Sequence, residues 1–318
     1  MNNPIIYTSK RLRTEANTAC VAKAIFSALD KLHVEHRELN NTQDYWCRDY
    51  MPVMISDDGI YVKYRYEPDY LIEDESLHDY ITHQQNACSE LNLFVPNDMN
   101  IFFDGGNYVR CGNKVIMTDK IFSENPQWSN LEIIQHLEQI LRAEIILLPW
   151  DMEDPFGHAD GMVADLGDGQ ILLNGCWKKQ DEPFHRRLRK ILDAHFYVEE
   201  LPAWDGDKDS WCYLNYLQVP GGILLPCLSE NNDSKDDKAA LIYFERLFPS
   251  LEIIPICAKP LVKVKMEGCF ALCYMGVYFK QRIEIKNRYY ESEQDKTLYL
   301  FDIHNCANRH FYQSCISS

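Results

Sequence analysis

Hydrophobic and polar residues alternate in five separate stretches of the chain, and a tight turn interrupts each alternation. The stretches are "YWCRDYMPVMISDDGIYVKYR", "IFFDGGNYVRCGNKVIMTD", "GHADGMVADLGDGQILLNG", "SWCYLNYLQVPGGILLPCL" and "KMEGCFALCYMGVYFK". Successive side chains of a strand point to opposite faces, so alternation predicts strands with one buried face. The Gly, Asp and Asn residues at the interruptions supply the positive φ that short hairpin turns require. The sequence therefore predicts five β-hairpins.

A helical pattern followed by a short apolar strand separates consecutive hairpins. In "LEIIQHLEQILRAEIILLPW" the spacing predicts a helix with an apolar face made by Leu131, Ile134, Leu137 and Leu141. The same order recurs in "TACVAKAIFSALDKLHVEHREL", "FHRRLRKILDAHFYVEELP" and "KAALIYFERLFPSLEIIPI", and more weakly in residues 69–95. Each hairpin thus belongs to a repeating unit that also contains a helix and a further strand.

Each repeat carries one landmark residue, and the landmarks lie about 55 residues apart. They are Asp49, Asp104, Asp160, Asn215 and Cys273. Because one unit cannot bury its apolar face alone, we expect an α/β domain in which five units pack around a common axis. The landmarks would then meet in one central cleft. The domain is expected to span residues 1–318, with residues 281–318 as a closing or extension segment outside the repeat pattern.

The chain is strongly acidic, with 48 Asp and Glu against 32 Lys and Arg and a formal net charge of −16. Proteins that bind nucleic acid usually present a basic face, so this balance argues against nucleic acid and against anionic membrane surfaces. It suits long-range attraction of a cationic ligand, although an acidic balance more often serves solubility. No run of about 18 apolar residues occurs, so no membrane-spanning helix is predicted.

Twelve cysteines are scattered along the chain and form no CxxC pairs. The first residues, "MNNPIIYTSKRLRTEANTAC", contain no apolar run of signal-peptide length. Together these features predict a cytoplasmic protein with free thiols. No Cys/His cluster has the spacing of zinc ligands, so no metal is expected.

The first two landmark turns combine acidic residues with Arg or Gly. "WCRDYMP" places Arg48 and Asp49 beside Trp46, which is either a solvated ion pair or part of a site. "FDGGNY" contains Asp104, Gly106 and Asn107, which form either an ordinary turn or a close backbone approach to a ligand.

The other landmark turns carry groups suited to proton transfer, hydrogen bonding and nucleophilic attack. His158 and Asp160 in "PFGHADGM" are two residues apart, so on a strand they would share one face. Asn215 suits a hydrogen bond at a strand end. Cys269 and Cys273 would also share a strand face, where each is either a thiol nucleophile or a small apolar residue.

Two carboxylates, an imidazole and a thiol in one cleft suit the chemistry of a guanidinium group. Carboxylates accept the planar N–H fork of a guanidinium in pairs. A thiolate can attack the guanidinium carbon while a histidine moves the protons. The predicted reaction is hydrolysis to a ureido group with loss of ammonia, and it needs no metal or organic cofactor.

At these residues the sequence resembles the agmatine deiminase and Porphyromonas-type peptidylarginine deiminase family of guanidino-group-modifying pentein enzymes. "WCRDYMP" matches the family pattern Trp-x-Arg-Asp-x-x-Pro, "DGGN" matches Glu/Asp-Gly-Gly-x, and "GHAD" matches Gly-His-x-Asp. "YLNYLQVPGGILLP" resembles the Asn-bearing strand, and "GCFALC" is similar to a final Gly-Gly-x-x-His-Cys element.

The resemblance implies a five-bladed α/β propeller built from ββαβ-like repeats. It implies that Asp49 and Asp160 hold the guanidinium, that His158 is the general acid and base, and that Cys273 is the nucleophile. Asn215 would support the site. The remaining residues expected on the substrate side are Trp46, Arg48, Asp104, Gly106 and Asn107.

The sequence departs from the family pattern at three positions. Cys269 replaces the second glycine of the last element, Leu272 replaces its histidine, and Met51 stands where glycine is usual. The polar run that often follows the nucleophile is here "YMGVYFK". Contacts to the substrate are therefore expected to differ from those of agmatine deiminases.

The favoured reaction is conversion of agmatine to N-carbamoylputrescine through a covalent thiouronium intermediate on Cys273. The expected partner is a small cationic guanidino compound or an arginine side chain, and a ring of outer helices offers surfaces for a homo-oligomer. The alternatives are a peptidylarginine deiminase that citrullinates proteins, a deiminase of another guanidino compound, an amidinotransferase, and a non-catalytic pentein that only binds.

Overall fold

The computed structural model describes residues 4–56, 59–89, 91, 93–202, 212–232, 234–262 and 274–276. Within them the chain forms five three-stranded sheets with helical connections. The strands are β1 (Ile5–Ser9), β2 (Glu35–Leu39), β3 (Val53–Ser56), β4 (Ile60–Arg65), β5 (Phe94–Phe102), β6 (Val109–Cys111), β7 (Lys114–Thr118), β8 (Glu144–Leu148), β9 (Val163–Gly167), β10 (Gln170–Asn174), β11 (Tyr197–Leu201), β12 (Leu217–Val219), β13 (Gly222–Cys227), β14 (Glu252–Cys257) and β15 (Tyr274–Gly276).

Helices lie between the sheets and in the connections. The α-helices are α1 (Lys10–Thr14), α2 (Ala19–Lys31), α3 (Cys47–Tyr50), α4 (Asp69–Ile72), α5 (Gln84–Ala87), α6 (Lys120–Glu124), α7 (Asn130–Leu141), α8 (Trp177–Gln180), α9 (Glu182–Leu192), α10 (Lys235–Leu247) and α11 (Lys259–Val262). Short 3₁₀ turns cover Glu75–Tyr80, Gly105–Asn107 and Ala159–Gly161. In the part of the chain that the structure describes, no helix is both long and apolar enough to cross a lipid bilayer.

Four of the sheets share one strand order, which confirms four of the predicted hairpins. They are β3–β4–β5, β6–β7–β8, β9–β10–β11 and β12–β13–β14. In each, the first two strands form an antiparallel hairpin. The third strand returns through a helical connection and pairs parallel with the second. The hairpin, helix and strand predicted for each of these four units are therefore present.

The fifth sheet combines the beginning of the chain with residues 274–276. Strand β15 pairs antiparallel with β1, with Tyr274 opposite Tyr7, and β1 pairs parallel with β2. This arrangement repeats the order of the other sheets, but its first strand comes from far along the chain. The rest of the fifth predicted hairpin, and the segment predicted at residues 281–318, lie outside the described residues.

Helix α7 has its buried face at a different position from the one that the sequence predicted. Ser129 and Glu132 form a reciprocal capping box that fixes where the helix begins. Ile133, Leu137 and Leu141 then point inward, whereas Leu131 is 66% exposed. The prediction that Leu131 lies on the apolar face was wrong because positions i, i+4 and i+8 from Ile133 form the buried stripe.

One cluster of buried side chains joins the start of the chain to the fourth sheet. Val21 and Ile25 of α2 pack in one cluster with Ile223 of β13, Phe244 of α10 and Ile256 of β14. Burial of such side chains contributes about 1.5–3 kcal/mol each. Packing thus fixes α2 against a sheet whose strands β13 and β14 come almost 200 residues or more later in the sequence.

Candidate active site

The predicted site residues lie in short helical turns that precede the first strand of a sheet. Asp49 lies in α3, before β3, and Asp104 caps the turn before β6. His158 caps the turn before β9, and Asp160 lies within that turn. The prediction that His158 and Asp160 share a strand face was wrong, since a 3₁₀ turn directs their side chains toward different partners.

His158 and Asp104 form a buried acid–base pair. The Nε2 atom of His158 lies 3.0 Å from Oδ2 of Asp104. The same oxygen accepts a hydrogen bond of 2.7 Å from the Tyr70 hydroxyl, and Oδ1 accepts one of 2.9 Å from the Gly106 N–H. Burial opposes ionisation of Asp104, but His158 and these donors outweigh it and hold the pKa of Asp104 below its usual value. The sequence predicted Asp104 on the substrate side and did not indicate its contact with His158.

The glycine pair after Asp104 permits a close approach between neighbouring parts of the site. A Cβ atom on Gly106 would lie 2.4 Å from Nδ1 of His158. A Cβ atom on Gly105 would lie 2.0 Å from the carbonyl oxygen of Arg48. The sequence predicted close approach to a ligand at this turn, and the structure brings the imidazole and the first landmark turn there.

Asp49 completes a compact cluster with this pair. One carboxyl oxygen of Asp49, one of Asp104 and one ring nitrogen of His158 all lie within 4.8 Å of one another. Burial, reinforced by the charge of Asp104, holds the pKa of Asp49 well above its ordinary value. Its Oδ1 is buried and has no hydrogen-bond partner among the residues that the structure describes. An unpaired buried carboxyl oxygen is costly, so a hydrogen-bond donor that reached this atom would stabilise the site.

Asp160 contacts a different group, the guanidinium of Arg48. The Nε atom of Arg48 lies 2.7 Å from Oδ2 of Asp160, and an NH2 group of Arg48 donates to the carbonyl of Tyr108 at 2.8 Å. Asn215 donates from Nδ2 to the main-chain oxygen of Asp160 at 3.1 Å. Burial raises the pKa of Asp160, and the charge of Arg48 opposes that rise. Within the described chain, Oδ1 of Asp160 has no hydrogen-bond partner.

A cavity of about 830 Å³ borders this site. Arg48, Gly105, Asp160 and Asn215 contribute polar groups to it. The first strands of four sheets supply apolar walls, including Val53, Val109, Val163 and Leu217. A volume of this size lies in the range of small-molecule sites.

Trp46 and Asn107 make contacts within the protein. Trp46 is buried in the core and packs against the ring of Tyr45, with ring centres 4.9 Å apart. Asn107 accepts from the Thr118 N–H at 2.7 Å, which ties the turn before β6 to the end of β7. Among the described residues neither side chain borders the cavity, and the same is true of Asp49, Asp104 and His158.

The two cysteines of the last element, Cys269 and Cys273, and Leu272 lie outside the described residues. In the sequence Cys273 directly precedes Tyr274, the first residue of β15. The eight cysteines that the structure describes carry free thiols.

The cluster of Asp49, Asp104 and His158 has the spacing of a metal site, but the two oxygens of Asp104 already have partners in the protein. Both oxygens of Asp104 accept from N–H or O–H groups of the protein, and Oδ2 also contacts the imidazole. A cation would have to displace these contacts. The arrangement therefore favours proton transfer over metal binding.

Three comparisons relate the chain to known proteins. The sequence profile of the Porphyromonas-type peptidyl-arginine deiminase family matches residues 5–268. A Lactococcus lactis protein, provisionally named an agmatine deiminase, is 26% identical over 194 residues, which are 48% of this chain and 51% of that protein. The chain thus spans about half the length of the curated relatives it matches.

Solved structures share the fold at low sequence identity. Agmatine deiminase of Enterococcus faecalis is 18% identical, with a TM-score of 0.66 over 87% of this chain and 93% of that one. A Cys-to-Ser variant of C. jejuni agmatine deiminase with substrate bound is 13% identical, with a TM-score of 0.66 over 87% of this chain and 94% of that one. Because the family profile covers most of the sequence, the chain belongs to the Porphyromonas-type peptidyl-arginine deiminase family.

Proposed function

We propose that this protein is a deiminase that hydrolyses a guanidinium group to a ureido group and releases ammonia. The observation that carries the proposal is a pair of buried carboxylate oxygens, Oδ1 of Asp49 and Oδ1 of Asp160, without partners in the described structure. They accompany a buried His158–Asp104 pair. A guanidinium group has planar N–H donors that can pair with these two oxygens. Its positive charge balances the negative charge of the carboxylates.

Substrate binding and ionisation of Asp49 are coupled in this proposal. Burial and the neighbouring charge of Asp104 favour the protonated form of Asp49 by raising its pKa. A bound guanidinium supplies the positive charge that the buried site lacks. Asp49 would therefore lose its proton as the cation enters, and the paired charges would then hold the substrate.

The nucleophile is proposed to be Cys273. The other candidate groups precede β3, β6, β9 and β12, each the first strand of its sheet, and Cys273 precedes β15, the first strand of the fifth sheet. The shared strand order, with β15 paired to β1, supports a five-bladed propeller closed around the site. In such a propeller the ends preceding the first strands would converge.

In the proposed reaction Cys273 transfers its proton to His158, and the thiolate forms a C–S bond to the guanidinium carbon. His158 returns the proton to the departing nitrogen as the C–N bond breaks, and ammonia leaves a thiouronium on Cys273. His158 then takes a proton from water, which attacks the same carbon. Breaking of the C–S bond releases a thiolate, which takes the proton back from His158, and the O–H proton of the product passes to solvent to leave the neutral ureido group. One water is consumed and no electrons are exchanged.

Agmatine is the first proposed substrate, because a small cation suits an acidic protein. The cavity of about 830 Å³ favours peptidyl-arginine as a second candidate, since its volume exceeds the volume of one agmatine molecule. Both substrates would place a guanidinium group between Asp49 and Asp160. They differ in the part of the molecule that fills the rest of the cavity.

The test is ammonia release from agmatine, free arginine and a peptide with an internal arginine. Cys273→Ala is expected to abolish release, whereas the matched variant Cys269→Ala is expected to keep the chemical step. Circular dichroism of both variants separates loss of chemistry from loss of fold. Turnover by folded Cys273→Ala would exclude the mechanism. Transfer of an amidino group to an amine would indicate an amidinotransferase. If the folded wild type releases no ammonia from any of the three substrates, the protein is a binding protein.

A further inference from the structure

Tyr70 contacts the His158–Asp104 pair from outside the landmark turns. It lies in α4, a four-residue helix in the connection between β4 and β5. Its hydroxyl donates to Oδ2 of Asp104 at 2.7 Å, and this oxygen is the one that lies 3.0 Å from Nε2 of His158. Its ring also meets the imidazole edge-on, with ring centres 6.4 Å apart. One side chain therefore touches both the histidine and the carboxylate that partners it.

An ion-pair cluster around the buried Lys120 holds Tyr70 in this position. Nζ of Lys120 lies 2.6 Å from Oδ1 of Asp69 and 3.0 Å from Oε1 of Glu124, and the Lys120 side chain is 1% exposed. Asp69 is the first residue of α4, so the ion pair ties α4 to α6. Nζ of Lys120 also lies 5.4 Å from the centre of the Tyr70 ring, within the range of a cation–π contact.

The same lysine supports the histidine from the other side. Gly157, which directly precedes His158, has φ of +62°, and a Cβ atom there would lie 2.5 Å from Cδ of Lys120. The lysine stem thus packs against the main chain that carries His158, while its ammonium group fixes the helix that carries Tyr70. Burying a lysine costs desolvation energy, which its two acidic partners offset.

We propose that Tyr70 is a positioning residue for His158: its hydroxyl fixes the Asp104 carboxylate and limits how strongly that carboxylate stabilises the imidazolium. This inference rests on the proposed function only for its catalytic consequence. A hydroxyl that donates to a carboxylate spreads its negative charge, so less of that charge acts on the imidazole. Without the hydroxyl, Oδ2 of Asp104 becomes a stronger base and holds the proton on His158 to higher pH.

The expected effect is a shift in the titration of His158. Replacing Tyr70 by Phe removes one donor and keeps the ring packed against Phe156. Asp49, Asp154 and Asp160 are the other acidic groups that interact with His158, and the substitution leaves all three in place. We expect the midpoint of His158 to rise by about half a pH unit or more, the scale on which one hydrogen bond to a charged group acts.

The decisive measurement is a pH titration of the histidine imidazole nitrogens by NMR in the full chain, with the His158 signal identified by its loss in His158→Gln. Tyr243→Phe is the matched control, because that hydroxyl bonds Glu199 on another part of the surface, and its His158 midpoint is expected to equal that of the wild type. Asp69→Asn, which keeps the hydroxyl but loosens α4, is expected to shift the midpoint in the same direction by less.

This experiment needs no substrate, so its outcome is independent of whether the proposed reaction occurs. An unchanged or lowered His158 midpoint in folded Tyr70→Phe would overturn the inference. If Tyr70→Phe does not fold, an unchanged midpoint in Asp69→Asn overturns it instead. In an active enzyme, the His158-dependent limb of the pH–rate profile should move with the NMR midpoint.

Discussion

Arg48 holds Asp160 in an ion pair, with Nε of the arginine 2.7 Å from Oδ2 of the carboxylate. The chain thus presents one of its own guanidinium groups to a carboxylate that is proposed to bind the guanidinium of the substrate. Arg48 is anchored on its other side by the carbonyl of Tyr108. Since Oδ1 of Asp160 stays unpaired within the described residues, one oxygen can face Arg48 while the other faces the substrate.

Arg48→Gln is expected to weaken substrate binding, with a rise in KM of about tenfold or more, corresponding to roughly 1.4 kcal/mol. Burial raises the pKa of Asp160, and Arg48 opposes that rise. Removing the arginine leaves the carboxyl neutral over a wider pH range. A neutral carboxyl cannot pair with a cation, so the loss should be greatest at low pH. The measurement is KM for agmatine as a function of pH.

Arg110→Gln is the matched control for this experiment. Arg110 also borders the cavity, but its guanidinium donates to the main-chain oxygen of Leu141 at 3.1 Å. Its replacement should change KM far less and without the same pH dependence. A lower KM in Arg48→Gln would contradict the prediction and would mean that Arg48 competes with the substrate for Asp160.

The hairpins and their following strands were predictable because their signals are local. Alternation and turn residues within about 20 residues determine each hairpin. The pairing of β1 with β15 had no local signal, since its partners Tyr7 and Tyr274 lie near opposite ends of the described chain. The sequence predicted that the site residues meet in one cleft. Three of them, Asp49, Asp104 and His158, do form a cluster.

The side-chain partners within the site could not be predicted from spacing. The alternation rule holds only for strands, and His158 and Asp160 lie in a 3₁₀ turn, where it fails. Tyr70 lies in the irregular segment between β4 and β5, where the helical pattern is weakest. The Gly-Gly pair did signal a close approach, but only the fold reveals that the approaching group is His158.

Asp49 and Asp237 are both buried, and we expect their replacement by Asn to change stability in opposite directions. Burial holds the pKa of Asp49 well above the value of about 3.9 in an unfolded chain. The folded state therefore binds a proton that the unfolded state has released, and stability falls as pH rises through the pKa of the folded state. Asp49→Asn should raise the free energy of unfolding by about 1–3 kcal/mol near pH 8 and leave it unchanged near pH 4.

Asp237 has the opposite environment. Its carboxylate accepts hydrogen bonds from the Tyr213 hydroxyl and from the Leu228 and Ser229 N–H groups. These and other donors outweigh burial and lower its pKa, so its contribution is present above about pH 4 and is lost as pH falls through the lowered pKa. Asp237→Asn should destabilise the fold by about 1–3 kcal/mol at pH 7. Thermal unfolding at several pH values checks both variants, and a destabilising Asp49→Asn at pH 8 would contradict the prediction.

Removal of metal ions is expected to leave ammonia release unchanged. Both oxygens of Asp104 accept hydrogen bonds from the protein and Oδ2 also faces the imidazole, so a cation would have to compete with these contacts. Treatment with EDTA followed by exchange into metal-free buffer should therefore preserve the rate with agmatine. Loss of activity that is restored by a divalent metal would instead make Asp49, Asp104 and His158 a metal centre.

Gly106→Ala is expected to reduce kcat by about a hundredfold, the effect of misplacing a catalytic group by about 1 Å. The added Cβ would lie 2.4 Å from Nδ1 of His158 and within 2.6 Å of two further ring atoms, so the imidazole must leave its present position. Gly161→Ala is the matched control: it lies in the neighbouring turn, and no atom lies within 4 Å of its added Cβ. That variant should keep its kcat. Thermal unfolding verifies that both proteins fold, and a folded Gly106→Ala with the wild-type kcat would show that His158 has no strict position in the reaction.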